Sequence, residues 1–250
     1  MNHRVIVLAT LAAVAISLSG CSKPYVRTVP WTSESDALET LARRADSIRS
    51  IRAACTLTLT DPKGESVNFD GALVVRLEPD HAWLRLRTWK LGHAVFDATV
   101  RPDGVWIMTS EEAAKRMATA SQGLQSARPD QIASAIGLLA GDFFRSPGLK
   151  IYNKQEFAVT RTTEDGSVVA FIERGPLTVY QYSIRDTANT VRQTLHLDTY
   201  RELPPDATPF PLRIRAVGPD GSVELRLEDV ELNGLIEDAA FTPPRRAVKQ

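Results

Sequence analysis

Between Cys55 and Leu232 most of the chain changes polarity at every residue, and that period of two decides what it can fold into. Successive strand side chains point to opposite faces of a sheet, so alternation builds strands with one apolar face and one wet face. In "CTLTLT", Cys55, Leu57 and Leu59 alternate with threonines. Val67, Phe69, Gly71, Leu73, Val75 and Leu77 share one face of the next run, against Asn68, Asp70 and Arg76. "HAWLRLRTW" sets Leu84 and Leu86 against Arg85 and Arg87, and "HAVFDATV" sets Phe96, Ala98 and Val100 against Asp97 and Thr99. The stretches "DPKG" (61–64) and "RPDG" (101–104) read as tight turns between these runs. Alternation resumes at Lys150, with hairpins expected around Asp165-Gly166, around Thr187 to Thr190 and around "GPDG" (218–221). In the last run Leu225 and Leu227 are in phase while Val230 and Leu232 are not, which predicts a bulge near Glu228 or Asp229. The sum is about ten or eleven antiparallel strands.

Three stretches carry the helical period instead. Leu38, Leu41, Ala42, Ala45 and Ile48 fall on one face of a helix expected over Ser33 to Ser50, with Arg43, Arg44, Asp46 and Arg49 on the solvated face. Thr109-Ser110-Glu111-Glu112 reads as a capping box opening an alanine-rich helix to about Ala120. Pro129 suits a first helical position, Ile132, Ile136 and Leu139 repeat behind it, and Gly141 suits the stop. "SQGLQSAR" lies between these two helices as a loop. Strands with one apolar face and helices with one apolar stripe make a sheet with helices packed on it, a mainly β, α+β class of fold. Two outcomes stay open at this level: a dry core, or an apolar hollow left where a twisted sheet curls away from its helices.

The amino terminus adds a constraint of a different kind. Arg4 is followed by an apolar run from Val5 to Leu18, too short to span a bilayer and of signal-peptide form. The run ends at Leu18-Ser19-Gly20-Cys21, which resembles the bacterial lipobox at every position. That resemblance implies removal of residues 1–20 and acylation of Cys21, so the membrane is the first expected partner. Ser22, where an Asp would favour inner-membrane retention in enterobacterial lipoproteins, leans the protein toward the outer membrane, facing the periplasm. Residues 21–32, with two prolines, read as a tether, and 33–250 as a single domain.

Charge excludes some partners. Without Arg4 the chain keeps 29 basic against 30 acidic side chains, with none of the basic runs of nucleic-acid binders. With Cys21 acylated, Cys55 is the sole thiol, so no internal disulfide forms and Cys55 reads as a small buried hydrophobe. His3 leaves with the signal. His81, His93 and His196 show no H-E-x-x-H pattern or cysteine partners, so no metal and no cofactor are expected. Nucleophile-elbow, Walker and dinucleotide motifs are missing as well, so catalytic residues are expected to be none and the chain is read as a non-enzyme.

The order of short motifs carries a resemblance. A helix is followed by "G-x-L-x-V-x-L-x-P-D" (Gly71 to Asp80), an "L-R-L-R" strand and "FDATVxxDGVWIM" (Phe96 to Met108); the chain closes on "LxDVxLN" (Leu227 to Asn233) and "FTPP" (Phe241 to Pro244). This layout is similar to the LolA/LolB-like family of periplasmic lipoprotein carriers and receptors, over most of residues 34 to 244. The resemblance implies a strongly curved, unclosed antiparallel sheet whose concave face is covered by helices over an apolar cavity. It also implies a membrane-anchored protein that binds the acyl chains of a lipid or lipoprotein for envelope trafficking. Leu57, Leu59, Phe69, Leu73, Leu84, Leu86 and Phe96 are the candidate lining residues, some of which only pack against helices. The protruding, membrane-inserting leucine loop of LolB has no evident counterpart in the sequence. The alternative reading is an anchored sensor or assembly module that recognises an envelope protein without transferring lipid.

Overall fold

The computed structural model of the chain describes residues 26–78, 81–110, 138, 141–219, 221–245 and 247–249. The two helices expected over 109–120 and 129–141, the loop between them and the lipobox lie wholly or largely outside these residues. Helix α1 (Glu34–Ser47) starts where Ser33, in extended conformation, accepts the backbone N–H of Asp36 on its hydroxyl. Glu34 and Asp36 in the first turn and Arg44 in the last complement the helix dipole. The helix stops earlier than its periodicity suggests, because Ile48 is already extended and the first strand takes over at Ser50. Its buried stripe is Ala37, Leu41 and Ala45, with Leu38 and Ala42 at the margin.

The strands are β1 (Ser50–Thr60), β2 (Ser66–Glu78), β3 (His81–Lys90), β4 (His93–Arg101) and β5 (Gly104–Thr109) in the first half. The second half holds β6 (Lys150–Asn153), β7 (Ala158–Thr163), β8 (Gly166–Glu173), β9 (Thr178–Arg185), β10 (Val191–Leu203), β11 (Thr208–Gly218) and β12 (Gly221–Leu232), and β13 (Val248–Lys249) follows. Each half is an antiparallel meander, and β12 returns to pair with β1, with Leu57 opposite Leu225. One sheet results, in the order β13-β5-β4-β3-β2-β1-β12-β11-β10-β9-β8-β7-β6, and it is not closed. The two strands beyond the expected ten or eleven are β6, of four residues, and β13, of two; both are too short for alternation to show.

Turn and bulge chemistry follow the sequence closely. Gly166 and Gly221 open their strands at φ of 141° and 122°. A Cβ at Gly166 sits 2.0 Å from the Arg185 carbonyl oxygen, and one at Gly221 sits 2.2 Å from that of Thr60, so only glycine fits. The expected bulge is present: Asp229 has φ of 48°, and the β1–β12 register steps from Arg52↔Glu231 to Ala54↔Glu228.

Strand β4 departs from the expected alternation, since every residue from Val95 to Val100 is buried. The cause is the carboxyl-terminal stretch. A 3₁₀ turn (Asp238–Phe241) brings Phe241, fully buried, to within 5.6 Å of the Trp83 ring on the outer face of the sheet. The Arg76 guanidinium lies over both rings, at 4.7 Å and 5.3 Å. Beneath this cover Arg85 grips Asp97 through two hydrogen bonds of 3.0 and 2.8 Å and donates a third to the Ala240 carbonyl. Asp97 is only 1% exposed, so a residue read as solvated is an internal counter-ion.

On the inner face the apolar residues form two clusters. The larger runs from α1 through Leu73, Leu84 and Val100 to Phe143, Tyr182, Leu197 and Phe210. Here α1 packs against β9 to β11 and against the chain at Gly141, which has φ of 81°; a Cβ on Gly141 sits 2.7 Å from the Ala45 Cβ, so the two segments cross nearly backbone to backbone. The smaller cluster is Leu57, Leu59, Phe69, Val95, Phe96 and Ala98.

Candidate functional site

Between α1 and the second meander lies an apolar cavity of about 60 Å³. Leu41 and Ala45 of α1, with Ile48 just past its end, form one wall, and Leu177 at the entry to β9, Val179, Tyr182, Leu197 and Phe210 the other. These strands line a hollow because their inner faces carry large side chains in register; Leu195 stands opposite Tyr182, and Leu197 opposite Ile214. The polar atoms present are spoken for. The Tyr182 hydroxyl meets the Leu138 carbonyl at 3.2 Å, and the Tyr200 hydroxyl donates to the Val179 carbonyl at 2.6 Å. Burial, reinforced by Tyr182, holds the Tyr200 phenol above its ordinary value, so that hydroxyl stays protonated and neutral.

The cavity adjoins a charged cleft of about 350 Å³, and Arg44, Thr208 and Pro209 line both. Arg27, Arg43, Glu202 and Asp206 complete the cleft's charged groups. Arg27 and Glu202 neutralise one another through a forked pair at 2.9 and 3.0 Å, with a further bond from the Arg27 backbone. The hydrogen bonds from Arg27 hold the Glu202 carboxyl below its usual range. Arg44 differs: its Nη1 donates to the carbonyls of Pro176 and Leu177 at 2.9 and 2.7 Å, and burial pulls its pKa down. Among the described residues, neither Arg43 nor Arg44 has a carboxylate within salt-bridge distance.

The segment 26–32, read in sequence as part of a tether, is docked beside this cleft. The Val29 N–H donates to the Gly175 carbonyl at 2.9 Å, Trp31 Nε1 donates to that of Arg174 at 3.0 Å, and the Trp31 ring stacks on Phe157 at 5.3 Å.

The seven lining candidates fall elsewhere on the inner face. Leu57, Leu59, Phe69 and Phe96 make up most of the smaller cluster, Leu73 and Leu84 belong to the main core, and Leu86 is half-buried against both. None of the seven is among the residues that line the cavity or the cleft. Alternation identified their face correctly but carries no signal for which stretch of that face stays unfilled. The residues that do line the cavity could have been sought in "VYQY", "LHLDTY" and "PFPL", where aromatics and prolines crowd the alternating pattern. Sequence reasoning also missed Leu91, 91% exposed at the β3–β4 turn with φ of 50°. A leucine in a position suited to Gly or Asn is the clue that was available. Among the described residues no group of three or more His, Cys, Asp or Glu could hold a metal, and no helix is long and apolar enough to cross a membrane.

An unclosed antiparallel sheet made of two meanders, with the amino-terminal helix packed on its inner face over an apolar hollow, is a LolA-like fold. The chain is similar to a solved outer-membrane lipoprotein-sorting protein domain from Vibrio parahaemolyticus, at 12% identity and a TM-score of 0.56, over 84% of this chain and 97% of that one. It is equally similar to a LolA superfamily protein from Nitrosomonas europaea, at 12% identity and 0.56, over 82% and 97%. A DUF1329 family protein from Desulfovibrio piger aligns at 10% identity and 0.57, over 83% and 96%. No protein-family model and no curated protein sequence matches the chain.

Proposed function

We propose that the protein is a bacterial lipoprotein, anchored through Cys21 and facing the periplasm, in the outer membrane rather than the inner, that binds acyl chains for envelope trafficking. The observation that carries this reading is the apolar cavity between α1 and β9 to β11, open toward a charged cleft, within a LolA-like fold. The reading needs no covalent step. Burial of apolar surface, at about 25 cal/mol per Å², supplies affinity, and the cargo leaves unchanged. At about 60 Å³ the cavity is smaller than the roughly 300–1,000 Å³ of ligand sites, so an acyl chain enters only as α1 moves outward. The outward movement of α1 breaks polar contacts, among them Arg44 to the Pro176 and Leu177 carbonyls, Ser47 to the Thr208 hydroxyl, Arg145 to Asp46 and Asn233 Nδ2 to the Ser47 carbonyl, and it uncovers the buried stripe of Ala37, Leu41 and Ala45, whose burial the acyl chain would replace. Once α1 lifts, the neighbouring cluster of Leu57, Leu59, Phe69 and Phe96 extends the same apolar face for the distal part of a long chain.

The test is saturable binding of a fluorescent fatty-acid probe. Leu197→Gln, on the cavity wall, is expected to keep the far-ultraviolet circular dichroism of the parent and to bind the probe ten-fold or more weakly, about 1.4 kcal/mol. The small volume is also what favours the second reading, an anchored module recognising a protein partner. A folded parent without saturable acyl binding overturns the carrier reading and makes the anchored module the better account.

A further inference from the structure

We propose that the charged cleft is a headgroup site for an anionic phospholipid, drawn from the same bilayer that holds Cys21. This rests on the acyl-binding reading above and specifies its ligand. Arg27, Arg43 and Arg44 face Glu202 and Asp206 there, and the Arg27–Glu202 pair cancels internally. Two arginines and one carboxylate, Asp206, remain, a net positive charge at the rim of an apolar hollow. Arg44 is the decisive member. Its guanidinium is half-buried, lines both spaces and hydrogen-bonds carbonyl oxygens; among the described residues no carboxylate lies within salt-bridge distance of it, and Glu202, already paired with Arg27, attracts it only from further away. A phosphodiester there supplies the missing countercharge and accepts from the guanidinium, while its acyl chains run into the cavity.

Chain geometry fixes the source of the lipid. Arg27 lies in the wall of the cleft, and Val26 is five residues from Cys21. Five residues reach at most about 17 Å, so a lipidated Cys21 holds the cleft against the headgroup layer. The rest of the rim agrees with this orientation. The end of α1 and the β10–β11 turn lie at the strand ends marked by the Ser50↔Arg76 and Leu203↔Thr208 pairs. The Leu91 turn lies at the opposite ends, beyond the Asp70↔Trp89 pair, on the order of 25 Å away along β2.

The experiment uses the full lipidated chain in vesicles doped with a fluorescent-acyl phospholipid, either phosphatidylglycerol or phosphatidylcholine, with a fluorescent fatty acid as a third probe. The parent is expected to bind the phosphatidylglycerol probe at least ten-fold more tightly than the phosphatidylcholine probe. Arg43→Gln, at an exposed position, is expected to keep the circular dichroism of the parent and to cut that preference several-fold, and the Arg43→Gln/Arg44→Gln double variant to abolish it; Arg44→Lys is expected to keep part of it. Equal binding of both phospholipids by the parent, or equal losses in the variants, overturns the headgroup site while leaving acyl binding intact. Fatty acid bound more tightly than either phospholipid overturns the phosphodiester assignment. If no probe binds saturably, the acyl-binding reading itself fails, which is a distinct outcome.

Discussion

Two buried groups show how single residues set the limits of this structure. Asp97 is charged, nearly inaccessible and held by Arg85. Removing one partner of a buried pair strands the other, so Asp97→Ala is expected to cost roughly 3–5 kcal/mol, read as a fall in the denaturant midpoint. An Asp97→Asn variant keeps the shape and loses the charge, and is expected to be destabilised as well. Cys55 is buried in β1 opposite Gly71, and burial, with Glu228 as the lesser cause, pushes its thiol up to about 12 from 9.0. The folded state therefore keeps the thiol proton at pH values where the unfolded state has lost it. The resulting contribution to stability is complete below about pH 9 and is lost as pH rises toward 12. Thiol titration at pH 8 is expected to find Cys55 unreactive until denaturant is added. Cys55→Ala is expected to lose less stability than the parent between pH 9 and 12.

Among the elements, the hairpins were the most legible in sequence and the covered faces the least. The "EDG" turn at Gly166 and the slip at Asp229 are local chemistry, decided within a few residues, and each appears where the sequence places it. Gly166→Val is expected to cost on the order of 2 kcal/mol or more, since its Cβ overlaps the Arg185 carbonyl. Gly64→Val, at φ of 89° with open space around it, is expected to cost less, and thermal melts of the two variants give the comparison. Asp97 is held by Arg85, which in turn bonds the Ala240 carbonyl about 140 positions later in the chain, and alternation holds no trace of so distant a contact. The same holds for the cavity. Its walls come from α1 and from strands some 130 to 170 residues further on, so residues such as Leu57 and Phe96 looked equally eligible.

For the whole molecule, the docked segment 26–32 would turn the proposed anchor at Cys21 into an orientation. Cys21→Ser is expected to leave an unprocessed precursor that takes up no labelled palmitate; equal labelling of variant and parent would falsify the lipoprotein reading. If the anchor holds, the cleft faces the bilayer and Leu91 stands at the far pole, pointing into the periplasm. The open sheet also has two margins. At one, Val248 and Lys249 pair with Ile107 and Trp106, and the ammonium of Lys249 rests over the Trp106 ring at 5.3 Å. At the other, β6 is only four residues long. An unpaired strand edge is a template for a second chain, and a brief margin or one closed by a lysine offers little to copy. A tag fused directly after residue 250 pulls on that closing pair, so a preparation carrying one is the preparation in which filaments or soluble aggregates should be sought.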